Sequence, residues 1–313
     1  MKTYAAITPD QKASDAFAAI LSHILNNLDT WQDKARTWDD IEGVHHIRVT
    51  FRSLRSAFSV FRPVLDRKTR KRWSNIIKDL VEQTGMARDL DVLINEGMPA
   101  FHEDNFDLEI AGKMKLDEVL TDKRSEAYDR VRLMLDSDAY RDFKTDIAKW
   151  IENAGWYTDD LSKKKRKRLG KPVDILARRI LSKQDHLIRG MGDKIHIEDS
   201  TGMHRLRIEC KKLRYANEFF FPLFQDMNAF LKNMKSIQDI LGVMHDAAVL
   251  PGLMEQIIPK AQDPTLMTYV EVLIDWRTEQ YRVKSINFKH KWLNFVGAQR
   301  PWCLDDRCSV SKV

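Results

Sequence analysis

The sequence predicts an all-α protein built as two tandem, pseudo-symmetric bundles of long antiparallel helices. Three observations carry this expectation. Apolar residues recur at helical spacing along most of the chain. Glycine (12) and proline (9) are sparse for 313 residues, and strand-like alternation is scarce. A polar pattern at 45–55 returns 159 residues later.

Taken in order, Phe17, Ile20, Leu21, Ile24, Leu25 and Leu28 form an apolar stripe at i, i+3, i+4, i+7, which predicts a first helix near 9–36. Thr8-Pro9-Asp10 reads as its capped start, with proline at the first helical position. Helices are expected next at 41–62, 67–84, 106–135 and 138–153. A second set is expected at 172–191, 200–221, 226–241, 245–257 and 264–297. Between the sets, "GWYTDDLSKKKRKRLGKP" is polar, very basic and flanked by glycine, so it reads as a mobile linker. The expected organisation is a first bundle at 1–154, a linker at 155–171 and a second bundle at 172–313. The short turns suggest antiparallel neighbours within each bundle, and the length suits about two units.

Composition narrows the function classes. The net charge is +6 and the pI near 9.0, which suits anionic partners. Three cysteines (Cys210, Cys303, Cys308) are too few and too odd for a disulfide framework, and point to a reducing compartment. Cys303 and Cys308 lack a second ligand pair, so no metal site is expected there, and no cofactor motif is found. The N-terminal residues hold no apolar signal-peptide core, and no run approaches the roughly 18 apolar residues of a membrane span. The expectation is a cytoplasmic protein with no membrane association.

The segment "VHHIRVTFRSLRSAF" (44–58) carries the chemistry. At about 100° per residue, His45, Arg48, Arg52 and Arg55 fall within an arc of ~80°, a stripe about 15 Å long. Ile47, Phe51, Leu54, Phe58 and Phe61 take a separate face. In "MHRLRIECKKLRYANEF" the same offset gives His204, Arg207, Lys211 and Arg214 on one face, with Leu206, Cys210, Leu213 and Phe220 on the other. Lys212 lies at the rim of the second stripe, and Tyr215 falls within its arc. Wet charged faces usually mix signs, and like charges at helical spacing repel. Neither stripe contains an acid, so an ordinary solvated face is the weaker explanation for a pattern that occurs twice. A polyanion lying along both stripes would supply the missing charge, gripped by the planar fork of arginine.

A second correspondence has an offset of 157 residues: Lys78 with Lys235, Gly85 with Gly242, Arg88 with His245, Asp89 with Asp246. Lys78 and Lys235 stand seven residues before a glycine and are expected to add charge to the same site. Gly85 and Gly242 are expected just past helix C-termini. Asp89, Asp91 and Asp246 would then occupy the first turn of the next helix, where the dipole favours acids. The alternative is that Asp89 and Asp246 orient a neighbouring cation.

These motifs, with "GMARDLDVL" and "LGVMHDAAVL", resemble the CHAD family, the conserved-histidine α-helical domain, over roughly residues 10–295. The resemblance implies two helical bundles related by a pseudo-two-fold axis, with a basic surface and a central groove or pore. It implies inorganic polyphosphate as ligand, and members can localise to polyphosphate granules. Carried over by motif, the contacts would be His45, Arg48, Arg52, Arg55 and Arg88 in the first half, and His204, Arg207, Lys211, Lys212 and Arg214 in the second. Lys78, Lys235 and His245 join them from the duplicated pattern. The sequence departs from the family at Ser53, where a basic residue is common, and at His46, a second histidine off the stripe. It lacks the E-x-E-x-K motif of an appended triphosphatase and resembles the standalone form.

Two other readings compete. His245-Asp246 is an H-D pair like that of metal-dependent phosphohydrolases, but the matching position in the first half is Arg88, which cannot bind a metal. Sequence-independent nucleic-acid binding suits the pI and the basic run at 163–168, but base stacking needs aromatics among the stripes, and only Tyr215 is placed for it. The expected function is therefore non-catalytic polyphosphate binding, with nucleic acid at most a weak second partner.

Overall fold

The computed structural model describes residues 4–105, 110–258 and 263–303. Among these residues there is no strand beyond a single bridge, Lys12 with Pro172. The first four long helices are α1 (Ala13–Trp31), α2 (Glu42–Val60), α3 (Arg67–Gln83) and, after a short helix α4 (Gly85–Val92) and α5 (Met98–Asp104), α6 (Ile110–Asp136). Then come α7 (Asp138–Glu152), α8 (Lys163–Leu169), α9 (Val173–Gly192), α10 (Ser200–Phe219), α11 (Met227–Ile257), α12 (Pro264–Ser285) and α13 (Phe288–Gly297). The all-helical expectation is met, and the long predicted helices lie close to their expected places.

The apolar faces read from the sequence are the packing faces. Ile47, Phe51, Leu54, Phe58 and Phe61 of the first half, and Leu206, Cys210, Leu213 and Phe220 of the second, are all within 1 % of full burial. Each such side chain contributes about 1.5–3 kcal/mol of transfer free energy. Phe17, Phe58, Phe61, Trp150 and Trp156 pack their rings together in the first half. Phe230, Phe295 and Trp302 do so in the second. The halves meet where α2 packs on α10 and α6 on α12. Ala13 N–H donates to Lys171 O, and Val173 N–H to Gln11 O, which ties the start of α1 to the start of α9.

Several local expectations are corrected. Thr8-Pro9-Asp10 forms a turn in which Thr8 Oγ1 bonds Asp10, and α1 begins only at Ala13. Gly242 lies inside α11, which runs unbroken through the predicted gap at 242–244. A glycine in a helix interior costs about 1 kcal/mol relative to alanine, and burial of Ile240, Leu241 and Met244 on the same stretch offsets it. Asp246 is consequently mid-helix rather than in a first turn. Asp91 lies in the second turn of α4, whose helical backbone continues through a π turn at Leu93–Gly97 into α5, so it is interior rather than in a first turn. The predicted helix 264–297 breaks after Ser285, whose hydroxyl donates back to Arg282 O, a bond that bends helices. The first residues of the predicted 106–135 helix, and Cys308, lie outside the described residues.

The largest correction concerns the expected mobile linker. Lys163–Leu169 is a helix, capped by Ser162 Oγ accepting from Lys165 N–H. Leu169 is fully buried. Lys165 Nζ donates to Leu65 O, and Arg168 Nη1 donates to Pro63 O at 3.2 Å. The basic run is thus seated on the α2–α3 corner.

Candidate functional site: a basic recess between the two stripes

Packing of α2 on α10 turns the two stripes toward each other. Arg52 lies within electrostatic reach of both Arg207 and Lys211. His204 and His245 bring their rings to 5.4 Å across α10 and α11. Beside them, within the second half, a cavity of about 200 Å³ is lined by Met203, His204, Arg207, Met244 and His245 among others, all from α10, α11 and α12. Asp89 of the first half stands close enough to Asp246 of the second for their charges to interact. Sequence positions about 160 residues apart therefore share one recess.

The cations expected at the site from the sequence fall into two groups. Some already have partners. Arg48 Nη1 donates to Val81 O (3.4 Å) and to Thr84 Oγ1 (3.3 Å), which fixes it against the α3–α4 junction. Arg88 reaches Glu96 at 3.5 Å. Lys212 pairs with Glu209 at 2.6 Å, Arg214 with Glu218 at 3.6 Å, and the exposed Lys78 with Glu82 at 3.3 Å. The others, Arg52, Arg55, Arg207, Lys211 and Lys235, make no side-chain hydrogen bond or ion pair among the described residues. Arg52 Nε, Arg48 Nε and Arg88 Nη1 are buried without a protein acceptor. A buried N–H without an acceptor costs about 1–3 kcal/mol, so three on adjoining arginines suit an anion.

The charge balance of the recess is strained. Burial, then the neighbouring Arg207, Arg52 and Arg214, push the Lys211 amine down to about 7, against the opposing pull of Asp246. Burial and then Arg88 push His45 down to about 4. Burial, then Arg207, Lys211 and His204, do the same to His245. Arg48 and Arg207 are lowered chiefly by burial. Asp89 and Asp246 are raised by their enclosure, although Arg48 opposes this at Asp89, and Arg277 and Arg207 oppose it at Asp246. Asp246 thus holds a cation, taking Arg277 at 3.4 Å, whereas Asp89 meets Arg48 only through charge at a distance.

A pH dependence follows. An anion seated in the recess favours the charged forms of Lys211, His45 and His245, so binding takes up protons. Affinity is expected to fall as the pH rises above about 7, the value of Lys211 in the anion-free protein, toward the ordinary lysine range. Without anion the sign is opposite for stability: the unfolded chain holds the lysine proton between about 7 and the ordinary value near 10.4, so folding gains from rising pH over that window. Calorimetry in buffers of different ionisation heat measures the uptake, and a binding heat independent of the buffer would contradict it.

Some participants were invisible to the sequence reading. Arg277 of α12 has no counterpart in the duplicated pattern, and Thr84 carries no charge. Tyr215, expected in the cationic arc, is instead buried and stacked against Phe219, with Arg214 over its outer side at 5.2 Å. His46 turns away from the recess, stacks on Trp31 at 3.9 Å and meets Glu42 at 3.3 Å.

The CHAD domain profile matches residues 19–255, a span that holds both stripes. The chain belongs to the CHAD domain family. Two solved structures share the fold of this CHAD chain. The crystal structure of the CHAD domain from the plant Ricinus communis is 22% identical, with a TM-score of 0.76 over 96% of this chain and 98% of that one. PptA from Streptomyces chartreusis is 13% identical, with a TM-score of 0.66 over 90% of this chain and 100% of that one. No curated protein matches this CHAD sequence. Among the described residues no helix is long and apolar enough to cross a membrane, and no cluster of three or more His, Cys, Asp or Glu side chains could hold a metal ion.

Proposed function

We propose that this chain binds inorganic polyphosphate without catalysing its turnover, holding the anion between the α2 and α10 stripes. The CHAD family is associated with polyphosphate and triphosphate binding. The observation that carries the reading is the meeting of Arg52 with Arg207 and Lys211 in one recess, where Asp89 and Asp246 act on them only from a distance, none of the three makes an ion pair or hydrogen bond to an acid, and arginine N–H groups are left without acceptors. Folded proteins rarely bury like charges together, since each costs several kcal/mol of desolvation unless a counter-charge arrives. Phosphate oxygens meet the need, because guanidinium forks bind them bidentately. Arg55, His204, Lys235, Arg88 and His245 line the approaches. Arg48 acts from a fixed position, and Lys78, Lys212 and Arg214 must trade or share their carboxylate partners to take part.

The same geometry favours polyphosphate over nucleic acid. A single strand needs aromatic platforms beside its cations, and burial of Tyr215 removes the one candidate among the stripes. His245 and Asp246 serve the recess here, one beside His204 and the other on Arg277. On this reading the protein works in the cytoplasm and associates with polyphosphate granules.

The test is a titration of polyphosphate and single-stranded DNA side by side at two salt concentrations. Polyphosphate is expected to bind more tightly at both, with an affinity that falls with salt as counterions are released. Equal affinities would reduce the site to general basicity. Metal-dependent phosphate release that disappears in a His245→Ala variant would overturn the non-catalytic reading.

A further inference from the structure

A second concentration of positive charge lies beyond the stripe, where α8 docks. Arg62 follows Arg55 by seven residues, two turns further along α2 and just past its end. It therefore lies beyond the Arg55 end of the stripe, in the turn after Val60, which is about 18 Å from Arg48 at the helical rise. α3 opens "RKTRKRW", so Arg67 and Arg70 stand in its first turns, where the helix dipole disfavours cations. Lys165 and Arg168 are brought onto the same corner by their bonds to Leu65 O and Pro63 O. Asp66 is the acid among them, and it is already committed to Thr69 N–H at 2.7 Å and Thr158 Oγ1 at 3.1 Å. Arg70 Nε is buried with no acceptor. Burial lowers both Arg70 and Lys165, and Arg62 lowers each of them further. The corner thus repeats the features of the recess: crowded cations, too little acid and an unsatisfied guanidinium N–H.

We propose that Arg62, Arg67, Arg70, Lys165 and Arg168 form a second anion-binding station, which takes the run of a long polyphosphate chain leaving the recess past Arg55 and so makes the protein select for chain length. The proposal rests on the polyphosphate reading of the recess. Triphosphate is too short to occupy both stations, whereas a long chain can lie along α2 and fill them together. Joining two stations on one ligand makes the second contact intramolecular, so its gain appears only for ligands long enough to span them. The basic run at 163–168 then has a particular task. Docked as α8, it places Lys165 and Arg168 beside Arg62 and Arg70 rather than acting as diffuse charge.

The experiment compares the full chain with an Arg62→Gln/Arg70→Gln variant, using tripolyphosphate and long-chain polyphosphate as probes. Both substitutions leave the bonds that dock α8 intact. Long-chain affinity is expected to fall at least about tenfold, with the salt slope reduced by roughly two, while tripolyphosphate affinity stays within about twofold. Should the double variant lose its helical circular dichroism, Arg62→Gln alone carries the test, because the exposed Arg62 side chain makes no hydrogen bond or ion pair among the described residues. It is then expected to show a smaller loss confined to the long chain. Equal losses for both probes, or no loss for either, would overturn the second station. A wild-type protein that binds neither probe would instead overturn the reading of the recess itself.

Discussion

Reversing Arg52 and Arg207 together, as Arg52→Glu/Arg207→Glu, is expected to weaken polyphosphate binding at least a hundredfold without unfolding the protein. The two guanidiniums come from different halves of the chain and face one recess. Each is expected to give a phosphate at least one charge-assisted bond, worth about 1.5–3 kcal/mol. Losing both removes about 3 kcal/mol or more, which is at least a hundredfold in Kd, and the introduced carboxylates add repulsion. Neither arginine has a hydrogen bond or ion pair to lose among the described residues, and the fold rests on Phe51, Leu54, Leu206 and Cys210 behind them. A control with Arg130→Glu/Lys149→Glu, two exposed side chains on α6 and α7, changes the net charge equally. Similar losses in the two variants would show that only overall charge matters.

Asp91→Ala is expected to be the most destabilising of the simple substitutions, at about 3–5 kcal/mol. Asp91 is fully buried at the end of α4. Its carboxylate takes Arg124 at 2.7 Å and the Tyr128 hydroxyl at 2.8 Å, both from α6. Removing it strands a guanidinium that is only 13 % exposed and a buried phenol. α4 also carries Arg88, one turn before Asp91, so this buried triad holds a wall of the recess. A double Asp91→Leu/Arg124→Leu variant should recover much of the loss, because well-packed apolar residues replace a buried pair at little cost. Chemical denaturation measures all three proteins. An Asp91→Ala loss within about 0.5 kcal/mol, the range of ordinary surface changes, would show that water already satisfies Arg124.

Much of the candidate site was legible from periodicity. His45, Arg48, Arg52 and Arg55 share a face because the helix turns about 100° per residue, and the same arithmetic placed Phe51 and Leu54 in the core. The neutralising partners of Lys78, Lys212 and Arg214 were equally within reach, since Glu82, Glu209 and Glu218 stand three or four residues away. They stand on the flanks of the stripe, outside the arc that its cations share. Gly85 follows the C-cap of α3 as expected, whereas Gly242 misled for a different reason. Glycine is cheap at a helix end, but a buried helix such as α11 tolerates one in its interior.

Taken alone, the sequence determined the helices, their buried faces, the two cationic stripes and the family. All of these depend on residues within a few turns of one another, or on a pattern that duplication copied whole. The tertiary structure alone decided that Arg52 confronts Arg207 and Lys211, that Asp246 takes Arg277 and that Arg48 is pinned at Thr84. It also decided that "KKKRKR" is a docked helix rather than a linker, since Leu65 O and Pro63 O accept its side chains from about 100 residues away. The physical reason is that charge interactions depend on distance in space. Helical period orders the residues of one segment, whereas the separation of two segments is set by how their apolar faces pack.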